Sequence, residues 1–499
     1  MIALGIDSGT QSTKTIALDV ATGKLLAAAQ RSYGLIEGLP PGHLEQHPQE
    51  WTAAVEATVT EVLAALGSRK QEVGAIGVSG QQHGFVPLDA QGKVIRPAKL
   101  WCDTSTVDQC RQFEAEFGGT DELIKLAGNA MLPGYTAPKI LWLKENEPHH
   151  YRALETVLLP HDYINFFLTG ERTMEFGDAS GSGLMDVRTK EWCQPLIDFI
   201  DPDLMGTLPA IASSRRAIGL LRDNLRVKWG LDKSPVISAG GGDNMMSAIG
   251  TGNVQPGVVT VSLGTSGTVF AHSAEPVVDP DGEIAAFCDS TDKWMPLVCT
   301  MNVTVATEQS RKLFGWSHEE MEKQILSVPA GAGELLFLPY LNGERTPNLP
   351  DGTGVFHGLT TTTMAAAPMA RAVMEGVTLG LAYGLNRFRA LGIRPAEIRL
   401  TGGGSKSSVW RQICADIFGV STVCLKSAEG AALGSAIQAA YAWSAAQGKP
   451  ATFRELCTRI VQLENATRCV PNEDSAQVYT SLLARQSEIT RRLHAGGLL

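Results

Sequence analysis

The sequence predicts an α/β protein built from two similar halves, and three observations predict it. Short apolar runs of strand length alternate with longer stretches of helical periodicity. A strand–glycine turn–strand unit at the start of the chain returns near its middle. The length, 499 residues, exceeds what one hydrophobic core holds.

Leu4 and Ile6, then Thr15-Ile16-Ala17-Leu18, flank the turn Asp7-Ser8-Gly9-Thr10-Gln11-Ser12 and predict a β-hairpin. Trp51, Val55, Val59, Val62 and Leu66 recur at helical spacing, and Gly67 is placed to stop that helix. Val73-Gly74-Ala75-Ile76-Gly77-Val78 reads as a buried strand running into Ser79-Gly80-Gln81-Gln82-His83-Gly84. A further strand, 235–239, ends in Gly240-Gly241-Gly242-Asp243-Asn244 at the head of a predicted helix. The Gly- and Pro-rich stretch 250–257 is the predicted boundary, dividing the chain into 1–252 and 253–499. The second half then repeats the plan. A strand over 258–262 turns at Leu263-Gly264-Thr265-Ser266-Gly267 and returns over 268–271. After a helix over 367–391, the strand 398–400 ends in Thr401-Gly402-Gly403-Gly404-Ser405, followed by a helix over 409–418 and a strand over 422–425. Gly376, Gly380 and Gly384 fall on one face of the long helix and predict close packing of another helix there.

Hydrophobic residues make up 44% and charged residues 19%, an ordinary globular balance. The net charge of −10 and pI of about 5.6, with no basic block, argue against nucleic acid or an anionic membrane as partner. The N-terminus reaches a carboxylate at Asp7 without a basic region, so no signal peptide is expected. No apolar run approaches the roughly 18 residues that span a bilayer. The nine cysteines show no CxxC pair and predict reduced, mostly buried thiols, hence a cytoplasmic protein. Oligomeric state is open, a homodimer included.

Three glycine loops follow strands, where backbone N–H groups can cradle phosphate. A turn needs glycine in any case, so each loop alone is weak. Neither GxxxxGK[ST] nor a post-strand GxGxxG occurs, which excludes the common P-loop and dinucleotide folds. Asp7 either caps its own turn or, with the Thr10, Ser12 and Thr13 hydroxyls and Lys14 around it, holds Mg²⁺ and phosphate oxygens. Lys14 reads equally well as a solvated strand-edge residue. Asp243 is either an N-cap, worth about 0.5–2 kcal/mol, or a base kept accessible by three preceding glycines. Gln82 and His83 carry donors and acceptors suited to sugar hydroxyls, and Trp101 with Asp103 adds an aromatic face and a carboxylate.

These motifs together resemble the FGGY carbohydrate kinases over most of the chain, from Asp7 to about Gly434. The resemblance rests on Asp7-Ser8-Gly9-Thr10, Ser79 to Gly84, Gly134 to Trp142, Gly241 to Asn244, Ser262 to Gly267, Leu338 to Pro347 and Gly402 to Gly404, in that order. It implies a two-domain actin/Hsp70/hexokinase-like (ribonuclease H-like) fold with an interdomain cleft that closes on Mg·ATP and a sugar. By that resemblance Asp243 is the general base, Asp7 and Asp243 attend the metal, and Gln82, His83, Trp101, Asp103, Asp243 and Asn244 hold the sugar. Thr10, Gln11, Ser12, Lys14, Gly264 and Thr265 attend the phosphates, and Gly402, Gly403, Gly404 and Ser407 lie beside adenosine. Within the family the chain is most similar to the branch that phosphorylates D-xylulose on its 5-hydroxyl. Gln82 departs from that branch, which usually carries methionine there, and this leaves sedoheptulose, ribulose, a pentitol or gluconate as other acceptors. Pro368 also departs from the family pattern but sits where a first helical turn tolerates it. A non-catalytic nucleotide switch has no need for the Gly240-Gly241-Gly242-Asp243-Asn244 site, and retention of both Asp7 and Asp243 argues against a degenerate sugar sensor.

Overall fold

The computed structural model describes residues 1–427 and 429–499. Strand β1 (Ile2–Ser8) alternates large and small side chains, and the alternation sets what packs on each face. Ile2, Leu4 and Ile6 join Trp51, Val55 and Val59 of helix α1 (Pro48–Leu66) in one core cluster. Ala3 and Gly5 face the other way. β1 pairs antiparallel with β2 (Ser12–Asp19), which pairs with β3 (Lys24–Ser32), and parallel with β4 (Val73–Gly80). β4 repeats the alternation: Ile76 and Val78 face α1, while Ala75 and Gly77 do not. With β5 (Ala217–Leu220), β6 (Val236–Ser238) and the short β7 (Gly241–Gly242), the sheet order is β5-β6-β4-β1-β2-β3, with β7 also on β4.

The second half rebuilds the six-strand path of this sheet, without a counterpart of β7. Strands β8 (Val258–Leu263), β9 (Gly267–Ala271), β10 (Leu297–Thr300), β11 (Glu397–Thr401), β12 (Thr422–Leu425) and β13 (Leu463–Cys469) lie in the order β10-β9-β8-β11-β12-β13. The pairing senses also match: the first hairpin of each half is antiparallel, and its leading strand runs parallel to the next strand inward. This is the two-domain α/β architecture expected.

Helix α2 (Pro160–Thr169) and helix α3 (Asp243–Gly250) belong to the first half; α4 (Ala366–Ala390), α5 (Ser408–Phe418), α6 (Gly430–Ala446) and α7 (Phe453–Ile460) to the second. α6 nevertheless covers the small-residue face of the first sheet. A Cβ on Gly5 would fall 2.0 Å from the Ala432 carbonyl oxygen, and one on Gly77 would fall 2.1 Å from that of Ser435. α6 also crosses α3 backbone to backbone. A Cβ on Gly250 would sit 1.8 Å from the Gly430 oxygen, and one on Gly434 would sit 1.8 Å from the Met246 oxygen. So Gly430 and Gly434 serve a helix crossing between the halves. The glycines of α4 correct the expectation of a helix partner: Gly376 lies against Phe337 in the strand Leu336–Pro339, and Gly384 against Val298 of β10. Strands, not a helix, make the close approach. All nine cysteines are free thiols.

Candidate active site

Asp7 lies at the end of β1, not in the turn, which begins at Gly9. Its carboxylate accepts from Ser79 Oγ on β4 (3.0 Å), the residue directly paired with it. Burial raises its pKa to about 6; Ser79 opposes that, and the nearby Glu429 adds to it. Tyr33 braces the turn by donating to the Gly9 carbonyl (2.7 Å). Thr10 does not point free: its hydroxyl donates to Gln81 Oε1 (3.3 Å) and accepts from Trp101 Nε1 (3.0 Å). Gln11 is exposed, and Ser12 Oγ accepts from Gln30 Nε2 (2.9 Å). Lys14 Nζ is paired with Glu429 at 2.8 Å, an ion pair between the halves.

Asp243 stands in the first turn of α3, and Gly242 is the N-cap, so Asp243 is not spent on capping. Burial raises its pKa to about 7, with the Asp7 charge adding to it, against the hydrogen bonds from Asn244. Those bonds come from the Asn244 backbone N–H (2.7 Å) and Nδ2 (3.1 Å), both to Oδ1. Asn244 Nδ2 also donates to Gln82 Oε1 (2.7 Å), so Asp243, Asn244 and Gln82 form one polar line. Gln82 Nε2 is buried with no hydrogen-bond partner among the described residues, a donor available to a ligand. Gln438 of α6 holds the loop behind Asp243: it accepts from Gly240 N–H and donates to the Gly240 carbonyl, both at 2.8 Å. Gly240 has φ +76°, which only glycine adopts without strain.

His83 follows β4 with a positive φ of 59°, unusual for a side-chain-bearing residue. Its carbonyl accepts from Lys139 Nζ (2.9 Å) and Thr136 Oγ1 (3.1 Å). Its ring lies 5.2 Å from that of Tyr135 and 5.3 Å from that of Phe287, which comes from the second half. Burial lowers its pKa to about 4, so the imidazole is neutral. Trp101 faces the Arg345 guanidinium at 5.8 Å. Asp103 is not brought into the site. It is fully buried, and its oxygens accept from the Leu44 and Ser105 backbone N–H groups, Lys99 Nζ and Ser105 Oγ, which occupies its four lone-pair directions. The cluster His43, Glu45 and Asp103 has metal-like spacing, but the Lys99 ammonium already lies within 3.2 Å of each.

The second half presents backbone instead. Gly264 and Thr265 form the β8–β9 turn, with Thr265 exposed. Gly402 has φ +82°, and a Cβ there would lie 2.7 Å from the Leu263 carbonyl oxygen. A Cβ on Gly403 would meet nothing within 4 Å, whereas one on Gly404 would strike Leu263 and Trp410. Ser407 Oγ caps α5 by accepting from the Trp410 N–H (3.2 Å). The turn Gly264–Ser266 and the Gly402–Gly404 loop thus adjoin at the ends of two paired parallel strands, as the Thr10 turn and the Gln81–Gly84 loop do in the first half.

Sequence reasoning missed Lys139, Gln438 and Arg345, although the stretches that hold Lys139 and Arg345 were recognised as motifs. The signal for Lys139 is a lysine on the apolar face of a helix, and for Arg345 an Arg in a glycine- and proline-rich loop.

Chemically, Asp7 and Asp243 each keep one carboxylate oxygen without a protein donor among the described residues, and each stays partly accessible. Two carboxylates whose pKa burial raises, with the Asp7 charge adding to the rise at Asp243, suit a hard divalent cation. Bound there, Mg²⁺ would neutralise charge on transferring phosphoryl oxygens.

The first half matches the pattern described as the FGGY family of carbohydrate kinases, N-terminal domain, over residues 2–250, and the second its C-terminal domain over residues 259–443. The xylulose kinase of Haemophilus influenzae is 38% identical over 491 residues, covering 97% of this chain and 98% of that protein. Among solved structures, a "xyloylose kinase" from Brucella ovis superposes with a TM-score of 0.92 at 30% identity, covering 99% of this chain and 100% of that one. A gluconate kinase from Lactobacillus acidophilus gives 0.90 at 27% identity, covering 99% and 98%.

Proposed function

The chain belongs to the FGGY family of carbohydrate kinases, and from that premise we propose that it transfers the γ-phosphoryl group of ATP to the 5-hydroxyl of D-xylulose. The observation that carries the reading is Asp243. It heads α3 behind Gly240–Gly242, whose lack of side chains is taken up by close packing on Val78, Ser290 and Gln82, keeps one oxygen without a protein donor among the described residues, and is tied through Asn244 to Gln82 and so to the sugar loop. That free oxygen accepts the hydroxyl proton late in a loose transition state, where a modest base suffices. Asp7 and Asp243 attend Mg²⁺. Gln82, His83, Trp101 and Asn244 hold the ketose. Gly264, Thr265 and Gly402 to Gly404 line the nucleotide side, while Ser407 serves mainly to cap α5. Closure of the halves excludes water, the competing acceptor. The identity and coverage of the xylulose kinase relative support the choice of ketose.

A second reading, gluconate as acceptor, is favoured by Arg345. Among the described residues this guanidinium has no carboxylate partner, and it lies over Trp101, where a sugar acid would meet it. ADP release across D-xylulose, D-ribulose, sedoheptulose, pentitols and gluconate decides. D-xylulose should give the largest stimulation over the water-driven background; a larger response to gluconate moves the assignment, and no response to any of them removes it.

No helix among the described residues is long and apolar enough to cross a membrane.

A further inference from the structure

A line of buried titratable groups runs from behind the sugar loop into the first half, and the phosphoryl-transfer chemistry does not use it. His161 at the start of α2 is fully buried between two carboxylates: its Nε2 lies 2.9 Å from Asp162 Oδ1 and its Nδ1 3.0 Å from Asp178 Oδ2. Burial works against a charge on His161, but the two carboxylates outweigh it and push its pKa well above the ordinary histidine range. Asp178 sits in the one-turn helix Phe176–Ala179, whose N-cap Glu175 accepts from the Gly177 and Asp178 N–H groups. The other oxygen of Asp178, Oδ1, faces His83. It is 3.4 Å from the His83 backbone N–H, which donates to it, and 3.7 Å from Nδ1. Nδ1 is itself buried and has no hydrogen-bond partner among the described residues. The ring cannot retreat, because it fills the space over Gly181, where a Cβ would lie 1.9 Å from Cε1.

We propose that Asp178, anchored by His161, is a positioning residue that fixes the neutral His83 ring as the Nδ1–H tautomer and so presents Nε2 to the sugar as a hydrogen-bond acceptor. The proposal rests on the sugar-kinase reading for the identity of what meets Nε2. The logic is that of donor and acceptor counting. A carboxylate only accepts, so the ring nitrogen facing it must carry the proton, which leaves the other nitrogen with its lone pair. Of the two ring nitrogens, Nδ1 is the one sealed from solvent, so it is Nε2 that a ligand can reach. His161, doubly protonated, spends one N–H on Asp178 Oδ2 and thereby turns Oδ1 toward His83. The 3.7 Å separation is long for a hydrogen bond in the ligand-free chain, and such contacts tighten when substrate binds. Lys139 and Thr136 hold the His83 carbonyl, so the backbone is constrained by groups other than those facing the ring.

The test uses the full-length protein labelled with nitrogen-15 histidine, together with steady-state kinetics. In the wild type at neutral pH the His83 nitrogens should report a neutral ring with the proton on Nδ1. A ring protonated on Nε2, or a cationic ring, overturns the proposal, and this readout does not depend on which sugar is phosphorylated. In D178N the amide can turn its NH₂ toward His83, which moves the ring proton to Nε2. The sugar KM should then rise roughly tenfold, the loss of one well-placed acceptor, while the ATP KM stays within about twofold. An unchanged sugar KM overturns the proposal, and so does a matched loss of ATP binding, which a merely structural role would produce. Should D178N fail to fold, G181A gives the second test, since displacing the ring should raise the sugar KM alone. If no sugar is turned over by the wild type, the kinase reading fails while the tautomer measurement still decides the clamp.

Discussion

The two halves follow one sheet plan and differ in what stands at the end of its central parallel pair. Asp7 and Ser79 lie side by side at the ends of paired parallel strands, directly before the glycine loop that begins at Gly80. In the second half the matching pair is Ser262 and Thr401, directly before Gly402. The first half therefore places a buried carboxylate at the strand end, and the second places a hydroxyl. Around Asp7 the turn is filled with side-chain bonds, through Tyr33, Thr10, Gln81, Gln46 and Trp101. Around Ser262 the loops are glycine backbone, packed on Leu263 at Gly402 and Gly404 and open at Gly403, where a side chain would meet nothing within 4 Å. On the function proposed above, the duplicated scaffold would serve as two tools, one half supplying charge and proton acceptance and the other backbone donors for phosphate.

Breaking the charged half should cost most. Asp243→Ala should lower kcat by roughly 10³-fold while ATP affinity, read by calorimetry, stays near wild type. Equal loss of both would mean that Asp243 holds the site together instead of reacting. Asp7→Asn should lower kcat by roughly 10²-fold and raise the Mg²⁺ needed for half-maximal rate, because a neutral amide no longer complements the cation. The pH dependence has a definite sign. Asp243 must be ionised to accept a proton, and its pKa is about 7 in the free protein, so kcat/KM should fall as the pH drops below 7. For stability the sign is the reverse. Asp7 and Asp243 have folded pKa values above the ordinary aspartate value, so the folded chain binds protons more tightly, and their contribution to stability declines as pH rises from about 4 toward 7. Added Mg²⁺ should offset that decline in thermal melts near neutral pH.

Importing charge into the other half sharpens the contrast. Ser262→Asp recreates the Asp7 position where phosphate is meant to meet neutral backbone, and should raise the ATP KM about tenfold by repulsion, with the sugar KM little changed. Gln82→Met should have the smallest effect. It removes the acceptor of Asn244 Nδ2 and the unpartnered Nε2, and should shift the sugar KM by less than roughly tenfold.

Much of this comparison was legible in the residues, because glycine loops after strands and a repeated hairpin follow local rules of period and turn chemistry. Asp243 stood out since three glycines before it exceed what a cap requires. The structure reassigns the cap itself to Gly242. What local pattern could not show was partnership across the chain. Asp103 looks like a sugar-side carboxylate in the run Trp101-Cys102-Asp103, yet Leu44 and Lys99 consume it, and only the fold brings Leu44 there. Lys14 looks free until Glu429 is placed beside it. Gly5 and Gly77 read as ordinary strand glycines, and their reason lies in α6, more than 350 residues later. The clamp on His83 is hidden for the same cause, since Asp178 and His161 belong to two separate elements.

The central claim is that the charged half carries a phosphoryl group to one particular hydroxyl. The direct measurement is NMR of the product made from ATP and D-xylulose labelled with carbon-13 at C5. Coupling of phosphorus to C5, in an amount matching the ADP formed, is the predicted result. Phosphorus bonded elsewhere on the sugar, or inorganic phosphate alone, would contradict the account.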